Sequence, residues 1–299
     1  MEFEPSYIQS YKKGNLLDAV EKSWKILEEC ILCPRECRVN RLKGETGYCR
    51  TDATALVSSV GPHFGEEQEL VGRGGSGTIF FANCTLSCVF CQNYDISQLG
   101  HGRKVDTNEL AESMLYLQSI GCHNINFVTP THVVPQILKA LIPAIEGELN
   151  IPLVYNCGGY ESVQTLKLFE GIIDIYMPDA KYGEEKEAKK YSNVENYPEV
   201  NRSALKEMHS QVGDLIVKDG IAEKGLLIRH LILPYNLAGS FKVLEFIAKL
   251  SKNSFVNIMD QYRPFYIAHD YFLLQRRITH DEYTQVTEYA KKLGLKRGF

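Results

Sequence analysis

Three cysteines, Cys84, Cys88 and Cys91, are separated by three and then by two residues and follow the apolar run 78–82. A zinc site needs a fourth Cys or His close by, whereas a four-iron, four-sulfur cluster held by only three thiolates keeps one iron open for a substrate. The spacing, with Phe90 before the last cysteine, favours the iron–sulfur cluster. A zinc site completed from elsewhere and buried cysteines without a metal are the alternatives.

This motif, with an aromatic residue before its last cysteine, resembles the signature of the radical S-adenosylmethionine (SAM) superfamily. Residues 75–81 and 91–97 resemble its branch of proteins similar to pyruvate formate-lyase activating enzyme, and the resemblance extends from about Cys30 to the C-terminus. It implies that SAM binds the open iron and that one electron splits it into methionine and a 5'-deoxyadenosyl radical, which abstracts hydrogen from a substrate. By analogy, a flavodoxin or ferredoxin supplies the electron.

Apolar runs alternate with amphipathic helices along most of the chain, which is typical of parallel βα units. The predicted strands cover residues 78–82, 125–128, 153–155, 172–177, 226–233 and 255–259. Helices are predicted at residues 15–29, 108–120, 133–145, 162–169, 199–212, 242–250 and 278–293, the last with Thr279 as its cap. Residues 55–77 are expected to be loop-like with short β-prone pieces, and residues 183–197 to be irregular. This α/β pattern matches the open six-stranded (β/α) partial TIM barrel that the resemblance implies.

We predict three parts of the chain. Residues 1–76 form an N-terminal helix and a four-cysteine extension, residues 77–264 form the partial barrel, and residues 265–299 form a C-terminal helical extension.

Loops at the carboxyl ends of barrel strands converge on one mouth, so polar residues that follow the strands are the candidate contacts to SAM. Lys181 is expected to meet its carboxylate, and Asp179, Asn156 or the hydroxyls of Thr129 and Thr131 its amine or ribose. By resemblance, Phe90 lies where superfamily members contact adenine, and Asp179-Ala180-Lys181 is similar to the Asp-x-Lys element of activating enzymes. The chain departs from the family at Thr129-Pro130-Thr131, where relatives usually carry Gly-Gly-Glu.

Other polar residues near predicted strand ends are interpreted as structural. Residues 62–67, with His63 and two glutamates, are interpreted as a surface turn with solvated acids, and a position of His63 or a glutamate near the cluster is the alternative. His132 and His230 are interpreted as hydrogen-bonded structural residues, and Cys122 and Cys157 as small buried side chains.

Four further cysteines, Cys30, Cys33, Cys37 and Cys49, lie in a segment with little intrinsic secondary structure. Four thiolates that begin with a Cys-x-x-Cys pair are typical of a structural metal whose binding supplies folding energy. Zinc, a second iron–sulfur cluster and thiols without a metal all remain open at this point.

Composition is that of a folded protein, with 299 residues, 44% hydrophobic and 23% charged. A net charge of −4 gives no electrostatic basis for nucleic-acid binding. The N-terminal residues lack the features of a secretory signal, and no apolar run reaches the roughly eighteen residues of a membrane span. We therefore predict a cytoplasmic protein that does not bind membranes.

Together these features predict a radical SAM oxidoreductase that abstracts hydrogen from a protein or peptide, in the manner of a glycyl-radical enzyme activase. The same chemistry on a small molecule or a nucleic-acid base is one alternative. A zinc-binding adaptor without enzymatic activity, which uses both cysteine groups, is the other.

Overall fold

The computed structural model describes residues 3–299 and contains one nine-stranded sheet. The strands are β1 (Ala55–His63), β2 (Ser76–Phe81), β3 (Arg103–Val105), β4 (Ile125–Val128), β5 (Leu153–Cys157), β6 (Ile175–Pro178), β7 (Ile216–Lys218), β8 (Ile221–Leu231) and β9 (Phe255–Met259).

Strands β2, β4, β5, β6, β8 and β9 pair in that order and are all parallel. Their carboxyl ends therefore lie along one edge of the sheet. The remaining three strands are antiparallel: β1 pairs with β2, β3 with β1, and β7 with β8. Because antiparallel strands extend the β2 side, the sheet stays open, and the predicted six-stranded partial barrel is confirmed.

The helices are α1 (Ser6–Lys12), α2 (Asn15–Ile26), α3 (Gln68–Val71), α4 (Tyr94–Ser97), α5 (Thr107–Ser119), α6 (Val134–Glu146), α7 (Val163–Leu166), α8 (Glu185–Ser192), α9 (Tyr197–Val212), α10 (Ser240–Leu250) and α11 (His280–Lys292). Side chains of Asp106 and Thr279 cap α5 and α11 through complete capping boxes, as predicted for Thr279. In residues 3–299, no helix combines the length and the apolar character needed to cross a bilayer.

The centre of the sheet forms the core. Every residue of β4, β5 and β6 is buried, because parallel strands are covered on both faces. Helices α2 and α5 pack on α6 outside these strands. The candidate residues at the strand ends are thus attached directly to the buried core.

Two segments are more regular than the sequence predicted. Residues 55–63 form strand β1, and residues 185–192 form helix α8. Strand β1 is held by pairing with two other strands. Helix α8 buries Ala188, Tyr191 and Ser192, too few residues to give a clear apolar pattern in the sequence.

Candidate functional site

The three clustered cysteines lie in the loop that follows β2. Asn83 has a left-handed backbone (φ 72°) and turns the chain from the strand into this loop. The backbone N–H of Leu86 donates to Cys84 Sγ (3.3 Å), and Ser192 Oγ donates to Cys88 Sγ (3.0 Å). Cys91 Sγ and Ser97 Oγ are hydrogen-bonded at 3.2 Å. Each sulfur therefore has a polar neighbour that could stabilise a thiolate.

Helix α8 supports the same loop from the outside. The backbone N–H groups of Ser87 and Val89 donate to the carbonyls of Ser192 and Tyr191, at 3.1 and 2.9 Å. These bonds fix the loop between the first and last cysteine. The helix that the sequence did not predict thus positions the cysteines.

Burial alone would keep these thiols neutral. It raises the pKa of Cys84 to about 12 and also raises the pKa of Cys88. The positive charge of Lys181 partly offsets this, because it favours the thiolate form of both residues. A bound metal would lower the pKa of its thiol ligands, since it is the thiolate that coordinates.

A cavity of about 400 Å³ opens at the carboxyl edge of the parallel strands. It is lined by all three cysteines of the motif and by most of the predicted SAM contacts, namely Phe90, Thr129, Asn156, Asp179 and Lys181. Thr131 does not line it, since its hydroxyl is buried and donates to Glu161 (2.7 Å). The structure thus brings together predicted residues from four separate loops or strands.

A network of ionic contacts forms one wall of this cavity. Lys181 Nζ donates to Asp179 Oδ2 (2.6 Å), and Arg229 Nε donates to Asp179 Oδ1 (3.0 Å). Arg229 Nη2 also donates to Asn156 Oδ1 (2.7 Å). Burial opposes ionisation of Asp179, but the two cations outweigh it and hold the pKa of its carboxyl below the usual value. The wall therefore carries two positive charges and one negative charge.

Sequence reasoning missed Arg229. It was read as part of an apolar strand, although a charged residue within such a run is itself a signal of an internal ion pair. Its presence changes the role of Asp179: both carboxylate oxygens already accept hydrogen bonds from cations. We therefore expect Asp179 to orient Lys181 and Arg229, while these two face the cavity.

The interpretation of residues 62–67 as a surface turn with solvated acids was wrong for Glu66. Its side chain is only 8% exposed. Glu66 Oε1 is hydrogen-bonded to His63 Nδ1 (3.0 Å), and Glu66 Oε2 lies 3.8 Å from Arg229 Nη1. Glu66 and His63 both line the cavity. Strand β1, which runs to His63, brings them there.

Thr129 has a left-handed backbone (φ 60°), which is costly for a β-branched residue, by roughly 1–3 kcal/mol. Its N–H donates to the carbonyl of Asn156 (2.9 Å), so neighbouring strand ends hold the turn in place. This strained turn stands where relatives usually carry Gly-Gly-Glu, and it presents Thr129 to the cavity.

The two candidate histidines are structural, as interpreted from the sequence. His132 Nε2 hydrogen-bonds the carbonyl of Ala82 (2.9 Å), and burial lowers its pKa to about 4. His230 bridges the carbonyl of Ala180 (2.6 Å) and Ser240 Oγ (2.8 Å). Cys122 and Cys157 are both buried, and Cys157 lies at the floor of the cavity.

Glu161, a second residue that the sequence did not single out, is buried near the cavity. It accepts from Thr131 Oγ1 (2.7 Å) and from Tyr155 OH (2.9 Å). Burial raises the pKa of Glu161 to about 7, against the hydrogen bonds that favour its charged form.

We expect Glu161→Gln to flatten the pH dependence of stability between pH 4.5 and 7. The unfolded state ionises this carboxyl at about 4.5 and the folded state at about 7, so the folded state holds more protons in this window and wild-type stability falls as pH rises. The difference in unfolding free energy between wild type and variant should change by roughly 3 kcal/mol across it. Urea denaturation at both pH values measures this; an equal difference at both would contradict the burial of an ionisable Glu161.

The donor set of the 84–91 loop fits an iron–sulfur cluster. Within residues 3–299, no three Cys, His, Asp or Glu side chains are arranged to hold a single metal ion. A cluster spaces its thiolate ligands more widely than one ion does, and the three cysteines share one cavity with hydrogen-bond donors at their sulfurs. SAM would find cationic side chains and an aromatic ring in the same cavity.

The chain is similar in sequence to a known family and to a known protein. A family model of the radical SAM superfamily matches residues 78–222. An uncharacterized protein of Methanocaldococcus jannaschii is 36% identical over 295 residues, which cover 95% of this chain and 81% of that protein.

Two solved structures are similar at low sequence identity. The crystal structure of HydG, a maturase of FeFe-hydrogenase, has a TM-score of 0.51 at 13% identity and covers 97% of this chain and 64% of that one. A radical SAM methyltransferase from Sphaerobacter thermophilus has a TM-score of 0.49 at 11% identity and covers 74% and 65%. The chain thus spans slightly less than two thirds of either solved chain. The likeness to HydG concerns the fold alone.

Proposed function

Residues 78–222 of this chain form a radical SAM superfamily domain, and from that premise we propose that the protein cleaves SAM reductively at a 4Fe-4S cluster held by Cys84, Cys88 and Cys91. We further propose that the reaction abstracts hydrogen from a protein or peptide, as in the activases that residues 75–81 and 91–97 resemble. A flavodoxin or ferredoxin would supply the electron.

One observation carries the proposal. Three thiols and a buried pair of cations line the same cavity at the carboxyl ends of the parallel strands. When bound, the cluster supplies the electron that splits SAM into methionine and a 5'-deoxyadenosyl radical.

The side chains that line the cavity have separate roles in binding SAM. Lys181 and Arg229 provide positive charge for the SAM carboxylate, and Asp179 holds both in place. Asn156 and Thr129 offer polar groups for the amine or ribose. Phe90 presents a ring that is itself fixed by edge-to-face packing on Tyr262 (5.8 Å between centroids). Tyr262 OH donates to the carbonyl of Leu274 (2.8 Å), so Tyr262 supports Phe90 rather than a substrate.

Exposed apolar side chains support a polypeptide substrate. Tyr235 follows β8, and Phe265, Ile267 and Phe272 follow β9, so all four come after strands whose carboxyl ends form the cavity edge; Phe272 is 79% exposed. Tyr266 stacks on Tyr94, three residues after the last cysteine of the motif (5.0 Å between centroids). Exposed apolar side chains on the segments that follow β8 and β9 suit a polypeptide better than a charged nucleic acid.

Deuterium transfer tests the substrate class. The reconstituted protein is reduced with dithionite and given SAM together with fully deuterated cell fractions: total protein, small metabolites or nucleic acid. We expect deuterium in 5'-deoxyadenosine only with the protein fraction. Deuterium from the metabolite or nucleic-acid fraction alone would contradict a polypeptide substrate.

A matched pair of variants locates that substrate. Phe272→Ser should reduce deuterium transfer by roughly tenfold, the effect of losing one apolar anchor of about 1.4 kcal/mol, and leave cleavage of SAM alone unchanged. Tyr116→Ser on α5, where the ring is also exposed (54%), should change neither rate. Equal effects of the two variants would contradict a substrate surface beside β9.

A further inference from the structure

Arg41 is a buried cation whose charge no carboxylate balances. Its side chain is 1% exposed. Nε and Nη2 donate to the carbonyl of Asp52 (3.1 and 2.7 Å), and Nη2 also donates to the carbonyl of His132 (2.9 Å). The arginine ion pairs found within residues 3–299 involve other arginines. A buried guanidinium bonded only to neutral groups is expensive, so an anion is expected beside it.

The remaining guanidinium nitrogen faces a cysteine. Arg41 Nη1 lies 3.9 Å from Cys30 Sγ. Cys33 and Cys49 of the same group are buried as well. Thiolates of this group are therefore the anions closest at hand for Arg41.

The fourth cysteine occupies a tight turn. Tyr48 N–H donates to Cys37 Sγ (3.3 Å), the same contact that Leu86 N–H makes to Cys84 Sγ (3.3 Å) in the loop after β2. At Gly47 a Cβ atom would come within 2.7 Å of Cys37 Sγ, so only glycine leaves room for that sulfur. An amide donor and a clear space at the sulfur are what a metal-bound thiolate requires.

The segment also has little regular secondary structure. Residues 27–54 contain only two short 3-10 turns, Leu27–Glu29 and Arg41–Lys43. Glu36, Arg38 and Arg50 have left-handed backbones, which are strained for residues other than glycine. Yet the segment packs firmly on the loop after β2: Arg35 Nε donates to the carbonyl of Thr85 (3.1 Å). A bound metal group would account for this order.

The spacing of the sulfurs separates zinc from a cluster. Tetrahedral zinc, with Zn–S bonds of about 2.3 Å, needs its sulfurs within about 4 Å of one another. No three ligand side chains in the described part of the chain are arranged for a single ion. This finding argues against a single zinc ion, and the amide donor at Cys37 Sγ matches the one at Cys84 Sγ in the loop proposed to hold the first cluster.

We propose that Cys30, Cys33, Cys37 and Cys49 bind a second 4Fe-4S cluster, whose negative charge is the counter-ion of buried Arg41. All four irons of this cluster have a cysteine ligand, so it is closed to substrate. It binds at residues outside the cavity and does not depend on the proposed reaction.

Iron and sulfide analysis of the triple variant C84A/C88A/C91A tests this site. The anaerobically reconstituted triple variant should retain about four irons and four sulfides per chain, and the wild type about eight. C122A, which replaces a buried cysteine of neither group, should match the wild type. One zinc and no iron in the triple variant, or no metal at all, would overturn the second cluster.

The same analysis keeps the two proposals apart. Four irons in the wild type and none in the triple variant would contradict the second cluster and leave the proposed function intact. Four irons in both proteins would support the second cluster and contradict the cluster at Cys84, Cys88 and Cys91.

Variants of Arg41 test the counter-ion in the triple-variant background. Arg41→Met should lose most of the remaining iron, whereas Arg41→Lys, which keeps the charge, should retain most of it. Circular dichroism of both proteins checks that the fold persists. Equal iron retention in folded Arg41→Met and Arg41→Lys proteins would contradict the role of the charge.

Discussion

Replacing Cys84, Cys88 or Cys91 singly by alanine is expected to reduce SAM cleavage by more than about 100-fold. Even groups that only contact a metal ligand are worth roughly 10- to 100-fold, and each of these residues is a proposed ligand itself. Two thiolates would also leave a second iron without a protein ligand. The measurement is the rate of 5'-deoxyadenosine formation under dithionite, normalised to protein.

Cys157→Ala is the matched control, since Cys157 lines the same cavity but lies outside the motif. Its SAM cleavage should remain within a few-fold of the wild type. Loss of activity in Cys157→Ala together with full activity in Cys84→Ala would contradict the assignment of the ligands.

Asp179→Asn should lower the unfolding free energy by roughly 3–5 kcal/mol, because it leaves buried Lys181 without a counter-ion and Arg229 with only the more distant Glu66 (3.8 Å). Their mutual repulsion should also displace Lys181 from the cavity wall and weaken SAM binding. Urea denaturation, with the midpoint compared at constant slope, measures the first effect, and equilibrium dialysis with SAM the second.

Asp214→Asn provides the comparison for stability. Asp214 pairs with His209 (3.0 Å) near the surface, where both side chains are about a quarter exposed, so its loss should cost at most about 1 kcal/mol. A similar small cost for both substitutions would contradict the description of Asp179 as the centre of a buried ionic network.

The parallel strands were predictable because they are buried on both faces and appear as plain apolar runs. The bounds of β4 and β9 agree with the predicted residues 125–128 and 255–259. Strand β1 was not predictable, since its Ser, Gly and Pro residues weaken the pattern and its order comes from pairing with β2 and β3. The local sequence of a strand does not show which distant strands it pairs with.

The candidate site shows the same division. Cys84, Cys88 and Cys91 and the candidates at the ends of β5 and β6 could be predicted because local motifs and strand ends point to them, and the structure places them around one cavity. Glu66 was missed because only the unpredicted β1 brings it to Arg229. Arg229 could have been found, since a charge within an apolar strand requires an internal partner.

The most direct test is single-turnover SAM cleavage by the anaerobically reconstituted, reduced protein. The account predicts methionine and 5'-deoxyadenosine in equal amounts, formed only when iron, sulfide and Cys84, Cys88 and Cys91 are all present. Protein that carries the full complement of iron and sulfide but releases neither product on reduction would contradict it.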